Sequence, residues 1–268
     1  LKTNNDLTLP VSGTGTAAME SCFVNLIEEK DKVLIIENGY FGSRMVNICQ
    51  RLNVDIDILN FEWGAPLLID DLKAKLDGSN YDLVAVVHAE TSTGVRNPVE
   101  KIRPYLDDKT IFIVDAVTSL GTIDLQVDNW NIDAVYSCSQ KGLSCPPGAS
   151  PISFSNKAIN KMKSRTRLVP NWYLDMLEII KYWDGNQRVY HHTAPINMMY
   201  ALYQSLLDVA HEGLDNIIYR HMRVHHYLEK GLNDIGLEFL VDKDSRLPSL
   251  NAVKIPEGVN DLEIRSKL

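Results

Sequence analysis

The run YDLVAVVHAE (residues 81–90) decides the fold. From Leu83 to Val87 it is apolar at every position, where a half-solvated strand would alternate. A continuous valine-rich run of this length reads as a strand covered on both faces. Working outward, KVLIIEN (32–38), VDIDILNFE (54–62) and TIFIVDAV (110–117) repeat the signal. Between them lie amphipathic stretches, FGSRMVNICQRLN (41–53), PLLIDDLKAKLDG (66–78) and PVEKIRPYLDD (98–108), each expected to be helical, the last with Pro98 in a first turn. This βαβα rhythm predicts an α/β fold, a mainly parallel sheet sandwiched by helices.

DAVYSCS (133–139) and SPISFS (150–155) read as two further short strands. From about residue 172 long helical patterns follow, the second broken near Gly213. LEFLVDKDSRLPSLNAVKIP (237–256) then reads as strands. The expected organisation is a large α/β domain over 1–236 and the start of a small α+β domain over 237–268. Leu1 is not a methionine, and NDLEIRSKL (260–268) stops as a helix begins, so the chain reads as a piece of a longer one.

Of the 268 residues, 45% are hydrophobic and 23% charged, the signature of a globular chain. No apolar run reaches membrane-span length. The net charge of −8 argues against nucleic-acid binding. Cys22, Cys49, Cys138 and Cys145 form no CxxC pair, which points to free thiols in a reducing, intracellular setting. His191–His192 and His225–His226 lack the spacing of a helical zinc site, so no metal is expected.

In open α/β sheets ligands bind beyond the carboxyl ends of the strands, so the residues there carry the chemistry. VSGTGTAAMES (11–21) places two glycines and two threonine hydroxyls before a helix, which suits an anion, although no Gly-Lys-Ser/Thr or GxGxxG pattern is present. TSTG (91–94) follows the 81–90 strand. Asp115 ends a buried apolar strand, where a carboxylate must find a partner or serve as a cap. Lys141 lies in YSCSQKGLSCPPGAS (136–150) between small residues and a rigid Pro-Pro-Gly turn, so a confined, desolvated amine is expected. A phosphate cradle, a hydroxyl turn, a carboxylate and an amine together match the needs of pyridoxal 5′-phosphate: its phosphate, phenolic oxygen, ring nitrogen and aldehyde.

The motifs SGTGTAAMES, HAETSTG, IVDAVTSLG, SCSQKGLSCPPG and YHHTAP, in this order, resemble the class V aminotransferases, and within them the alanine–glyoxylate and serine–glyoxylate (serine–pyruvate) group. The resemblance implies a fold-type I pyridoxal-phosphate transferase with a seven-stranded-type sheet. It implies that Lys141 carries the cofactor as a Schiff base and Asp115 binds the ring nitrogen. Val117 and Phe41 would cover the two ring faces, Phe41 standing where relatives often carry tryptophan. Thr14, Gly15, Thr16 and Gln140 would hold the phosphate, and Thr91 would sit near the phenolic oxygen. Tyr190 and Thr193 would reach the phosphate of a neighbouring subunit, which makes the protein a homodimer with shared sites. The implied reaction moves an amino group from alanine or serine to glyoxylate, leaving glycine and a 2-oxo acid.

The resemblance has departures. Family members extend further at both ends, and the arginine that clamps the substrate carboxylate has no counterpart here; Arg246 and Arg265 fall too early. Rival readings within the family are 3-hydroxykynurenine or 2-aminoethylphosphonate transamination, and cysteine desulfuration. The last expects a histidine where Gln140 stands and a mobile cysteine, whereas Cys145 adjoins two prolines. A catalytically silent module that kept the fold is the reading from another class.

Overall fold

The computed structural model describes residues 1–183 and 188–267. The chain opens with strand β1 (Leu7–Ser12) and helix α1 (Gly15–Leu26), then alternates β2 (Lys32–Glu37), α2 (Tyr40–Arg51), β3 (Asp55–Asn60), α3 (Ile69–Leu76) and β4 (Leu83–Val87). A small hairpin, β5 (Ala89–Glu90) and β6 (Val95–Arg96), precedes β7 (Ile111–Asp115), β8 (Ala134–Tyr136) and β9 (Ala149–Phe154). The helices α4 (Asn156–Lys163), α5 (Met176–Trp183), α6 (Ile196–Glu212), α7 (Leu214–Asp234) and α8 (Asp261–Lys267) follow.

Seven strands form one sheet in the order β1-β9-β8-β7-β4-β2-β3. β3, β2, β4, β7 and β8 are successively parallel, whereas β9 is antiparallel to both β8 and β1. β9 alone therefore runs backwards, and six strands bring their carboxyl ends to one edge. The connection from β8 to β9, residues 137–148, lies at that same edge.

The continuous apolar runs are explained by two cores, one on each face. Val33, Ile35, Leu83, Ala85, Val87, Ile111 and Ile113 face the first, against α1, α2, α4 and α5. Their neighbours Leu34, Ile36, Val84, Val86, Phe112 and Val114 face the second, against α3, α6 and the loops after β7. Each such side chain contributes about 1.5–3 kcal/mol by leaving water. The alternation also fixes which way the strand ends point. Asp115, two beyond Ile113, belongs to the first face. His88, two beyond Val86, belongs to the second, where its ring meets Trp130 edge-on at 5.5 Å.

Two expectations need correction. Residues 98–108 form two short 3-10 turns, Val99–Lys101 and Arg103–Tyr105, in place of an α-helix. Pro98 and Pro104 withhold two N–H donors and restrict the residues before them. Residues 237–256 form no strand, only single bridges such as Phe239 with Val253 and Leu247 with Leu250. Pro248 and Pro256 cut the segment into pieces too short to pair. The helical pattern does break at Gly213, which takes φ +85°. Of the last stretch, Leu268 lies outside the described residues.

Candidate active site

Asp115 ends β7 with only 1% of its surface exposed. Its Oδ1 accepts the Val117 N–H at 2.8 Å, while Oδ2 is buried with no partner. Burial raises its pKa to about 7, opposed by the Val117 N–H and the nearby Tyr136 hydroxyl, which is itself buried without a hydrogen-bond partner. Glu90 adds to the rise and Arg44 opposes it. A buried, half-satisfied carboxyl of this kind is built to receive a cationic N–H.

The turn expected to cradle an anion stands on the same edge. β1 stops at Ser12 and α1 starts at Gly15, with Thr14 as an extended N-cap residue whose side chain makes no capping hydrogen bond. The first-turn N–H groups of a helix have no intrahelical acceptor and attract an anion. Gly13 is tied into place from both sides: its N–H donates to the Gly148 carbonyl at 3.0 Å, and its carbonyl accepts from Ser150 Oγ at 2.9 Å. Gly15 is buried, and a Cβ there would lie 3.1 Å from Cys138 Cβ and 3.3 Å from Val117 Cγ2. That close approach brings the cradle against Val117 and the loop after β8. Thr14 and Thr16 are exposed and open to a ligand.

Phe41 and Val117 are partly buried against the same core face that Asp115 belongs to. Thr91 lies at the hydroxyl turn, its Oγ1 hydrogen-bonded to Thr118 Oγ1. The structure therefore assembles Asp115, Val117, Phe41, Thr91 and the Thr14–Thr16 turn at one edge of the sheet.

Lys141 and Gln140 reach that edge differently from expectation. Both are exposed, whereas Ser137, Cys138 and Ser139 just before them are buried. The loop turns at Gly142, whose would-be Cβ lies 2.2 Å from the Leu120 carbonyl, so its backbone presses on the turn after β7. With that side closed, the side chains of Gln140 and Lys141 project outward, and the burial expected for the lysine falls on its neighbours. Cys138 senses both charged ends of the site. Burial pushes its thiol up, the Gln140 N–H opposes, and Asp115 and Lys141 act in opposite directions.

Tyr190 and Thr193 lie in the segment after α5, their hydroxyls 3.0 Å apart and Tyr190 74% exposed. This segment docks on the end of β1 through a chain of rings. Trp172 stacks on His191 at 4.4 Å, His191 Nδ1 meets His192 Nδ1 at 2.7 Å, and His192 Nε2 meets Ser12 Oγ at 2.6 Å. The rings thus tie the start of this segment to the end of β1.

Sequence reasoning passed over three participants: the histidine pair as an anchor, Glu90 and Arg44. Glu90 was visible as a second acid closing an apolar run. Arg44 follows Phe41 by three residues, its guanidinium 4.8 Å from the Phe41 ring centroid and its Nη1 donating to Thr16 Oγ1 at 2.9 Å. Nothing local marks that bridge. No group of metal-binding residues occurs among the described residues, and no described helix is long and apolar enough to cross a membrane.

The alanine–glyoxylate aminotransferase of Mus musculus is 37% identical over 269 residues, covering 99% of this chain and 65% of that protein. The chain thus spans just under two thirds of that relative's length. The crystal structure of an alanine–glyoxylate aminotransferase from Nostoc sp. superposes with a TM-score of 0.95 at 46% identity, over 100% of this chain and 71% of that one. A ureidoglycine–glyoxylate aminotransferase from Bacillus subtilis follows with a TM-score of 0.94 at 32% identity, over 99% and 68%. Residues 2–268 match the family described as Aminotransferase class-V, and the chain belongs to that family.

Proposed function

We propose that this chain is the larger part of a pyridoxal 5′-phosphate-dependent aminotransferase that moves an amino group from alanine or serine to glyoxylate. The observation that carries the reading is the partnerless Oδ2 of Asp115, buried on the same edge as the uncapped first turn of α1. One end fits a ring N–H and the other a phosphate. Glyoxylate appears in the names of the Nostoc and Bacillus subtilis relatives while their amino donors differ, so the acceptor is the better supported half of the substrate pair.

When bound, the cofactor supplies an electron-accepting ring for the pair released at the amino acid's Cα. The chain's residues do the rest. Asp115 would accept the ring N–H at its partnerless Oδ2 and keep that nitrogen protonated. The Thr14–Thr16 turn and Gln140 would hold the phosphate, Val117 and Phe41 would bracket the ring, and Thr91 would serve the phenolic oxygen. Lys141 would anchor the cofactor through Nζ and, once free, would take the proton from the amino acid's Cα. Such acid–base help is worth about 10²–10⁴-fold. Its position on an exposed turn suits an amine that must swing between the two tasks.

The protein acts as a homodimer in this reading. The exposed Tyr190 and Thr193 hydroxyls reach the phosphate held by the partner's cradle. Residues 237–268 begin a smaller second domain, and the four buried free cysteines fit a reducing compartment. Cysteine desulfuration is disfavoured: Cys145 is buried, its N–H bound to the Ser139 carbonyl at 3.0 Å, which holds it away from any swinging role.

The test is covalent trapping. The full chain is loaded with pyridoxal 5′-phosphate, reduced with borohydride and mapped by peptide mass. The label is expected on Lys141, with none in Lys141→Ala. Label on another lysine, or none, would overturn the reading. A panel of amino donors with glyoxylate then decides among alanine, serine and ureido donors.

A further inference from the structure

One buried carboxylate at the sheet edge has no part in the proposed reaction. Glu90 closes β5 and its side chain is 0% exposed. A carboxylate taken out of water needs compensating hydrogen bonds or a cation. No cation pairs with Glu90 among the described residues. Backbone donors serve it instead: Oε2 accepts from Phe41 N–H at 3.2 Å and Gly42 N–H at 3.3 Å, and Oε1 accepts from Ser92 N–H at 3.1 Å and Ser92 Oγ at 2.6 Å. Ser92 Oγ in turn accepts Tyr40 N–H at 2.9 Å.

Tyr40, Phe41 and Gly42 are the first turn of α2. That helix has no acidic residue in its own first turn, and its N-cap, Gly39, has no side chain to offer. Gly39 has no room for one, because a Cβ there would lie 2.3 Å from Glu90 Cγ. The cap and the negative charge that complement the helix dipole are thus lent by another element. The same turn carries Phe41, whose ring Arg44 holds from α2 itself. Phe41 is pinned twice, at its backbone by Glu90 and at its ring by Arg44.

We propose that Glu90 is a positioning residue of the cofactor site, its carboxylate fixing the first turn of α2 and through it the Phe41 ring. This rests on the reading of Phe41 and Asp115 as parts of a pyridoxal-phosphate site. It gives the buried charge a use beyond capping α2.

The experiment is a double-mutant cycle on the full chain, titrated with pyridoxal 5′-phosphate: wild type, Glu90→Gln, Phe41→Ala and the double variant. Glutamine keeps the shape but turns an N–H toward donors that need an acceptor. Glu90→Gln should weaken cofactor affinity roughly tenfold, the effect of one mispaired buried group. In the Phe41→Ala background the same change should add less than about twofold, because its target is gone. Equal effects in both backgrounds, or wild-type affinity in Glu90→Gln, would overturn the proposal and leave the cofactor reading standing. A wild-type chain that binds no cofactor would overturn both. If Glu90→Gln does not fold, Glu90→Asp takes its place in the cycle, with the same two criteria.

Discussion

Asp115 shows how one residue reports its site before any ligand is considered. Its carboxyl is raised to about 7 by burial, whereas in the unfolded chain it has the ordinary carboxylate value. Between those values the folded protein holds a proton that the unfolded chain has released. The stability this group contributes is therefore complete below the carboxylate range and lost as pH rises through about 7. In thermal melts of cofactor-free protein from about pH 5 to pH 7.5, Asp115→Asn should lose less stability than wild type. Parallel slopes would show that the carboxyl is not held protonated. Asparagine should also weaken cofactor binding, since it offers the ring nitrogen no charge. The place of Asp115 at a strand end was legible because a lone acid closes an apolar run. Its partnerless Oδ2 was not, because that depends on which groups the neighbouring strand β8 brings beside it.

Among the elements, the loop from β8 to β9 repays attention. Its small residues were readable as crowding, but the reason for them is a contact with a distant turn. Gly142 lies against the Leu120 carbonyl, and Gly121 in the same turn takes φ +80° with the Gly142 carbonyl 3.1 Å from its would-be Cβ. The two loops meet backbone to backbone. Gly142→Ala should destabilise the protein by about 1–3 kcal/mol, the usual cost of overpacking, measured by urea denaturation. It should also lower the yield of borohydride labelling at Lys141, because the loop must move to make room. Unchanged stability would mean that the two turns separate freely. The 3-10 turns at 99–105 teach the converse lesson: periodicity suggested a helix, and missing proline donors shortened it.

At the level of the whole molecule, one sheet with a core on each face sets the stability of the site. Phe112 is fully buried in the core shared by α3 and α6. Phe112→Ala should cost about 3–5 kcal/mol in chemical denaturation. Because Phe112 lies on β7 and faces away from Asp115, cofactor affinity in the fraction that stays folded should change little. A large loss of affinity would show that the two faces are coupled through the strand. The sheet order also explains why residues as far apart in sequence as Thr14, Phe41, Thr91, Asp115 and Lys141 share an edge. Six strands run one way, so every second connection returns to the same side.

The sequence alone determined the α/β class, the succession of strands and helices, and the residues at the strand ends, because these follow from local periodicity and from polar groups that interrupt apolar runs. Tertiary structure alone decided the rest. It turned Lys141 outward, lent α2 its cap from Glu90, joined Arg44 to Thr16, and anchored the Tyr190 segment through two histidines. Each of these depends on groups from separate elements meeting in contact or at hydrogen-bond distance, and no local pattern in a chain encodes which distant neighbour will be there.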